Sequence, residues 1–271
     1  MKLLSYFLEN PYLNLIQASI QSKMEYKGTF FAFILTILGF YISQVAVIGI
    51  MIYNFKTINN WNKGELSFLY TLMIFSMGFA STFFSGMIDF GDFIRKGDYD
   101  RVLLRPLSTL GQIISINFDI TGLTHLTLGV LALILSSYFL EIDWTFLKVL
   151  FFFITILGGT LLLGAIRILT ASVCFFSITN ESLQHLIVFS SREFLLYPVN
   201  IYSKYIQYFL TFFFPIAFIN YYPAHYFLNK HSEILFHPYF AYGTFPVGFF
   251  FFLLSLYVWK VGEKFYSSTG S

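Results

Sequence analysis

Asp89-Phe-Gly-Asp92-Phe-Ile-Arg95-Lys96-Gly-Asp98-Tyr-Asp100-Arg101-Val-Leu-Leu-Arg105 holds 8 of the chain's 30 charged side chains (16 Lys and Arg, 14 Asp and Glu) in 17 of its 271 residues. Apolar runs of bilayer length flank it, residues 66–88 before and 120–140 after. A segment this charged cannot lie in hydrocarbon, so it faces water and is positioned to meet another protein. It divides the chain into a lipid-embedded body and a contact surface.

Composition agrees with that division. Hydrophobic residues are 57% of the chain and charged residues 11%, against about 25% charged in a soluble domain. The excess apolar surface implies an all-α integral membrane protein. A transmembrane barrel needs segments of about ten residues with alternating polarity, and the continuous apolar runs exclude it. The net charge of +2 and the lack of a basic patch argue against nucleic acid as a partner. Cys174 is the single cysteine, so no intrachain disulfide forms. The start does not read as a secretory signal, because Glu9, Asn10 and Pro11 interrupt the first apolar patch.

Asn10-Pro11 reads as a helix start, with Asn as N-cap and Pro at the first helical position. Leu13, Ile16, Ile20 and Met24 follow at helical spacing, with Asn14, Gln17, Gln21 and Glu25 on other faces. This predicts an amphipathic interfacial helix within residues 1–27. Six spans are expected after it, over residues 28–55, 66–88, 120–140 (entered through an amphipathic stretch from Leu107), 144–176, from Leu183 onward, and 239–259. Residues 205–229 are apolar but hold Pro215 and Pro223. They read as a broken, re-entrant pair of short helices on the outer side, within residues 199–233. The alternative, a seventh span, puts the termini on opposite sides. Charge favours six spans with both termini inside. Lys2, Lys23, Lys27, Arg95, Lys96, Arg101, Arg105, Lys260 and Lys264 then lie inside, and Lys56, Lys63, Lys148, Lys204 and Lys230 outside. No repeat or linker divides the chain, which is expected to form one transmembrane domain over residues 1–271.

Residues 94–106, Ile-Arg-Lys-Gly-Asp-Tyr-Asp-Arg-Val-Leu-Leu-Arg-Pro, resemble the first cytoplasmic loop of a bacterial family of ABC transporter permeases of the second, exporter-like class. The family pattern is roughly I-R-x-G-x-x-D-x-x-L-x-R-P. Phe194 to Pro198, the stretch Pro-Ile-Ala-Phe-Ile-Asn-Tyr-Tyr-Pro at 215–223, and the ending Tyr-Ser-Ser-Thr-Gly-Ser at 266–271 are similar to the same family. The resemblance implies a half-transporter in the bacterial inner membrane. Two permease chains, identical or related, would pair above two ATPase subunits and move cargo outward. The chain has no G-x-x-x-x-G-K-[ST] phosphate loop, so ATP and Mg would be bound by the partner ATPase and no cofactor by this chain.

On that reading Phe93, Ile94, Arg95, Lys96, Gly97, Asp98, Asp100, Arg101, Leu103, Leu104, Arg105 and Pro106 form the coupling segment that docks on the ATPase. Gly97 would supply a tight turn and Pro106 would end the loop. Phe93, Ile94, Leu103 and Leu104 are the expected apolar anchors, because charged rims rarely carry most of the binding energy. From charge alone, the same stretch reads as a solvated loop obeying the positive-inside rule. Glu181 and the interfacial helix are further candidate ATPase contacts. Arg167, Arg192 and Glu193 are intramembrane ionisable groups, read as a translocation-path lining or as an ion pair that fixes helix packing. Glu193 is expected to pair with Arg167, or with Arg192 of a second copy. Snorkelling is the alternative for Arg167. Pro215, Asn220 and Pro223 are expected to shape an outer gate, or merely to kink a helix facing lipid. The five histidines show no metal-ligand spacing and read as interfacial or hydrogen-bonded. No catalytic constellation stands out. A membrane-embedded lipid-modifying enzyme or an autonomous channel is the competing reading.

Overall fold

The structure, a computed structural model, describes residues 10–55, 57–177, 181–230 and 234–268. Lys2, Glu9, Lys56, the last residues of the 266–271 stretch and the side chain of Glu181 lie outside the described parts. Among the described residues every element is helical. A helix satisfies its own backbone groups, which hydrocarbon cannot do.

The chain enters α1 (Pro11–Glu25) as its sequence demands, with Asn10 Oδ1 accepting from the Tyr12 N–H at 3.0 Å and Pro11 in the first turn. α2 (Lys27–Phe55) follows a bend at Tyr26. α3 (Lys63–Phe84) starts on a reciprocal cap: Asn62 accepts from the Glu65 N–H, and the Glu65 carboxylate accepts from the Asn62 N–H. The short α4 (Phe90–Arg95), α5 (Asp98–Leu103) and α6 (Thr109–Ile116) lead to a 3-10 turn and α7 (Leu123–Leu140), and α8 (Phe146–Ser172) returns from it. The next stretch is broken into α9 (Glu181–Leu183), a π-helical turn (Gln184–Phe189) and α10 (Ser190–Leu195). α11 (Lys204–Tyr208) widens into a second π-helical turn, and α12 (Tyr221–Phe227) and α13 (Thr244–Glu263) complete the order.

Among the described residues, five helical stretches are long and apolar enough to cross a membrane, those containing α2, α3, α7, α8 and α13. Expectation and structure agree on these. α3 and α8 are largely enclosed by protein, whereas α2, α7 and α13 present apolar outer faces such as Val130, Ile134, Phe250 and Leu253. A bundle with apolar side chains on both its inside and its outside is built for lipid as solvent. The α9–α10 stretch is shorter than these five. It still runs from Met87, whose carbonyl accepts from Gln184, to Asn220, which donates to the Leu195 carbonyl.

Two ends of the bundle are defined by such contacts. At one, Tyr12 of α1 accepts from the Ser108 N–H, Ser19 donates to the Phe118 carbonyl, and Lys23 pairs with Asp119 at 3.1 Å. Ser268 donates to Asp100 at this same end, so both described termini lie beside the charged segment. At the other end Lys230 pairs with Glu65 at 3.1 Å and lies over the buried Trp61.

Residues 205–229 are broken, as the sequence indicates, but at one proline rather than two. The chain reverses around Pro215, between the π-helical turn and a 3-10 turn (Ile216–Phe218). Pro223 instead sits in the first turn of α12. A helix does not need the N–H of a residue there, so this proline interrupts nothing.

α8 and α13 cross at backbone contact. A Cβ placed on Gly248 would lie 2.1 Å from the Gly158 carbonyl oxygen, and one on Gly158 would lie 2.6 Å from Phe245 Cα. Small residues let helices approach this closely where hydrocarbon offers no hydrophobic drive. Gly248→Val is expected to force the pair apart at a cost of about 1–3 kcal/mol or more. A lower unfolding temperature in detergent checks this, and a surface change such as Leu253→Val serves as the silent control.

Candidate functional site

The charged segment is two short helices hinged at one residue. Gly97 has φ 74°, the left-handed region that glycine enters without strain, and it lets α5 fold back on α4. The inner faces of both helices are buried: Phe90, Ile94, Tyr99 and Val102 belong to the core. Phe90 meets Trp259 of α13 at 4.8 Å between ring centroids, Tyr99 at 5.5 Å and Phe175 at 5.4 Å. Ile94 is only 3% exposed, so it anchors the segment to its own bundle and offers no surface to a partner. Its spacing from Phe90 puts it on the same helix face. Phe93 is half-buried, while Leu103 and Leu104 stand out at 48% and 86% exposure.

The sequence reading did not pick out the residue that holds this segment. Glu263, in the last turn of α13, accepts from Tyr99 Oη at 2.8 Å, from Trp259 Nε1 at 3.0 Å and from the Thr109 hydroxyl. One carboxylate thereby joins α5, α6 and α13. A signal was present: a carboxylate at a helix C-terminus opposes the helix dipole and needs donors from elsewhere. Asp100 is occupied too, accepting from Tyr266 Oη at 2.9 Å and Ser268 Oγ at 2.8 Å. Gln112 Nε2 donates to the Val102 and Leu107 carbonyls. Burial, then the Glu263 carboxylate, pushes the Tyr99 phenol up, and burial with the Asp100 carboxylate pushes Tyr266 up to about 12. Both phenols therefore stay protonated as donors at neutral pH. The remaining charges are exposed. Asp92–Arg95 and Asp98–Arg101 are i,i+3 pairs at 2.5 and 3.4 Å, and pairs in water add little stability. Arg95, Lys96, Arg101, Leu103, Leu104, Arg105 and Pro106 thus form an accessible surface on a firmly held base.

Within the bundle, Arg167 of α8 is 4% exposed and donates to the Ala80 carbonyl at 2.7 Å and to Ser81 Oγ at 3.2 Å. It does not snorkel. Arg192 of α10 lies with its guanidinium carbon 4.1 Å from the Phe40 ring centroid, a cation–π contact. Both arginines line a cavity of about 270 Å³ with Thr36, Ile37, Phe40, Met77, Ser81, Ile88, His125 and Val188. The expected Glu193–Arg167 pair does not form within the chain. Neighbouring residues point about 100° apart on a helix. Arg192 takes the inner face and Glu193 is exposed. Three described histidines are hydrogen-bonded: His125 to Tyr41 Oη at 2.6 Å, His225 to the Tyr221 carbonyl at 2.8 Å, and His237, which accepts from the Tyr239 N–H at 3.4 Å.

Asn220 is a fastening point. It donates to the Leu195 carbonyl at 2.7 Å and lies 3.4 Å from the Leu69 carbonyl, joining the chain reversal to α10 and α3. Thr244 adds a bond to the Phe218 carbonyl at 2.7 Å.

The family of the ABC-2 family transporter protein matches residues 32–270. No curated protein and no solved structure shows a significant match.

Glu263→Ala leaves the Tyr99 hydroxyl without its acceptor and Trp259 Nε1 with only the Thr109 hydroxyl at 3.4 Å, at about 1.5–3 kcal/mol per charged hydrogen bond lost. The expected outcome is faster tryptic cleavage after Arg95, Lys96 and Arg101 with the helical bundle intact. Unchanged cleavage kinetics would show that aromatic packing with the Asp100 and Gln112 bonds holds the segment without Glu263.

Proposed function

The chain belongs to the ABC-2 transporter family, and from that membership we propose that it is the membrane-spanning half of an ATP-driven exporter, paired with a second permease chain and served by two separate ATPase subunits. Its family makes it a permease component rather than a catalytic enzyme. The proposal adds the direction of transport, the assembly and the residues.

The observation that carries it is the charged end. Leu103 and Leu104 are exposed apolar side chains on a segment that is otherwise clamped by Glu263, Asp100 and Gln112. Exposed leucines on a segment that also exposes Arg95, Lys96, Arg101 and Arg105 suit a docking surface that combines apolar contacts with charge. A solvated loop has no need of such anchoring. Ile94 serves as the inner anchor, and Phe93, Leu103 and Leu104 as the outer ones. Because the base is fixed to α13 and α6, displacement of the docked ATPase passes into the bundle rather than being lost in a loose loop.

We place the charged end, both termini and α1 in the cytoplasm of a bacterial cell. Five long helices alone would leave the termini on opposite sides. The α9–α10 stretch as a sixth, short crossing returns them to one side, in keeping with the shared position of Tyr12 and Ser268. Residues 205–229 then form the outer re-entrant segment, with Pro215 at its turn and Asn220 and Pro223 beside it as gate elements. Arg167 and Arg192 line the path, and Glu193 faces outward toward a second copy.

Arg101→Glu combined with Leu104→Asp tests the docking surface. The tagged chain, purified in mild detergent from its native host, is expected to bring down an ATPase with a phosphate loop. The double variant is expected to lose at least roughly tenfold of it, about 1.4 kcal/mol, with the permease still folded. Recovery of the wild-type chain alone would favour an autonomous channel. Equal recovery of ATPase by the variant would move the docking surface elsewhere.

A further inference from the structure

Among the described residues, the cavity between α2, α3, α7, α8 and α10 is lined by two arginines and no carboxylate. Arg167 is buried, and two of its guanidinium nitrogens are taken by the Ala80 carbonyl and Ser81. Its Nε is enclosed and has no hydrogen-bond partner, and the Nε of Arg192 is in the same state. Neither arginine forms an ion pair with any described residue. Two like charges facing one cavity repel each other, and a buried guanidinium without a counter-charge costs several kcal/mol. The Ala80 carbonyl and the Phe40 ring meet part of this cost, but the two Nε groups remain unmet and no negative charge faces them among the described residues, which suits the cavity to an anion.

The remaining walls define which anion fits. Ser81 and His125 add polar contacts near the guanidinium groups, while Ile37, Phe40, Met77 and Val188 are apolar. The cavity reaches the bundle surface beside the exposed Thr36. A fully hydrated ion would waste the apolar walls, and a neutral lipid would leave the guanidinium charges unmatched. We infer that this cavity binds the anionic head, phosphate or carboxylate, of an amphiphile. On the permease reading above, that is the chemical class of the transported molecule. Arginine suits the role because its planar fork stays charged and takes two oxygens at once.

The test uses the full-length chain purified in neutral detergent. Dioleoyl phosphatidylglycerol, dioleoyl phosphatidylcholine and inorganic phosphate are titrated separately, with unfolding temperature and retained lipid, counted by native mass spectrometry, as readouts. Phosphatidylglycerol is expected to raise the unfolding temperature and stay bound. Phosphatidylcholine and inorganic phosphate are expected to do neither at equal concentration. Arg192→Gln is expected to weaken phosphatidylglycerol binding by roughly tenfold or more, and Arg192→Lys to recover part of it. Arg192 is used because Arg167 also holds the Ala80 carbonyl and its loss risks the fold. Equal responses to the two lipids, or unchanged affinity in Arg192→Gln, would overturn the inference. A full response to inorganic phosphate would overturn it in favour of a small-anion site. Binding that appears only when Glu193→Ala is introduced would overturn it too, by giving the arginines to a second copy's carboxylate. The assay needs no ATPase, so failure to recover one would remove the permease assembly while leaving this site standing.

Discussion

α3 is the helix to which several sequence-distant groups fasten. It is enclosed along most of its length, and sequence-distant groups reach it by donating to its backbone carbonyls. Arg167 donates to Ala80, the Asp119 N–H to Thr82, and Asn220 approaches Leu69. Gln184 does the same at Met87, just beyond the helix. Ala80 and Thr82, unlike Leu69, lie near the C-terminus of α3, where carbonyls run short of intrahelical donors, and in apolar surroundings an unmet carbonyl is costly. Those carbonyls thus select the segments that bring polar side chains to them. At the opposite end, Glu65 serves twice, capping the helix and holding Lys230.

This dependence explains what the amino-acid sequence disclosed and what it withheld. Local chemistry was legible. The Asn10-Pro11 start, the Gly97 turn and the five long apolar helices depend on neighbours a few residues away, or on solvent that is the same all round. Partners across the fold were not legible. Glu263 is close in space to Tyr99 and Thr109 but more than 150 residues away in the chain. Ile94 and Leu103 look equivalent in a charged, leucine-bearing loop, yet helix phase buries one and exposes the other. Adjacent Arg192 and Glu193 suggested a joint role, but helical geometry turned them to different sides. Pro223 read as a breaker until its place in a first helical turn was known.

The two candidate sites share a support. The charged segment is bolted to α13 and α6, and the arginine cavity is walled by α2, α3, α7, α8 and α10. Phe175, which follows α8, packs on both Tyr99 and Trp259. A continuous path of packed aromatic rings thus runs from the charged end to the helix that carries Arg167. On the permease reading, this is the material through which docking below and binding above are coupled.

The glycine crossing of α8 and α13 has a mechanical consequence. With Gly158 and Gly248 in backbone contact there is no layer of rotamer-bearing side chains between the two helices to slide or repack. They behave as one strut, stiff against shear, with the clamp at Glu263 as its foot. Compliance must then reside elsewhere. The obvious place is the α9–α10 stretch, where a π-helical turn interrupts the regular ladder immediately before α10, the helix that carries Arg192. On the permease reading, a force applied at the foot would pass along the strut and be taken up at that turn, making α10 rather than α8 the wall of the arginine cavity that moves.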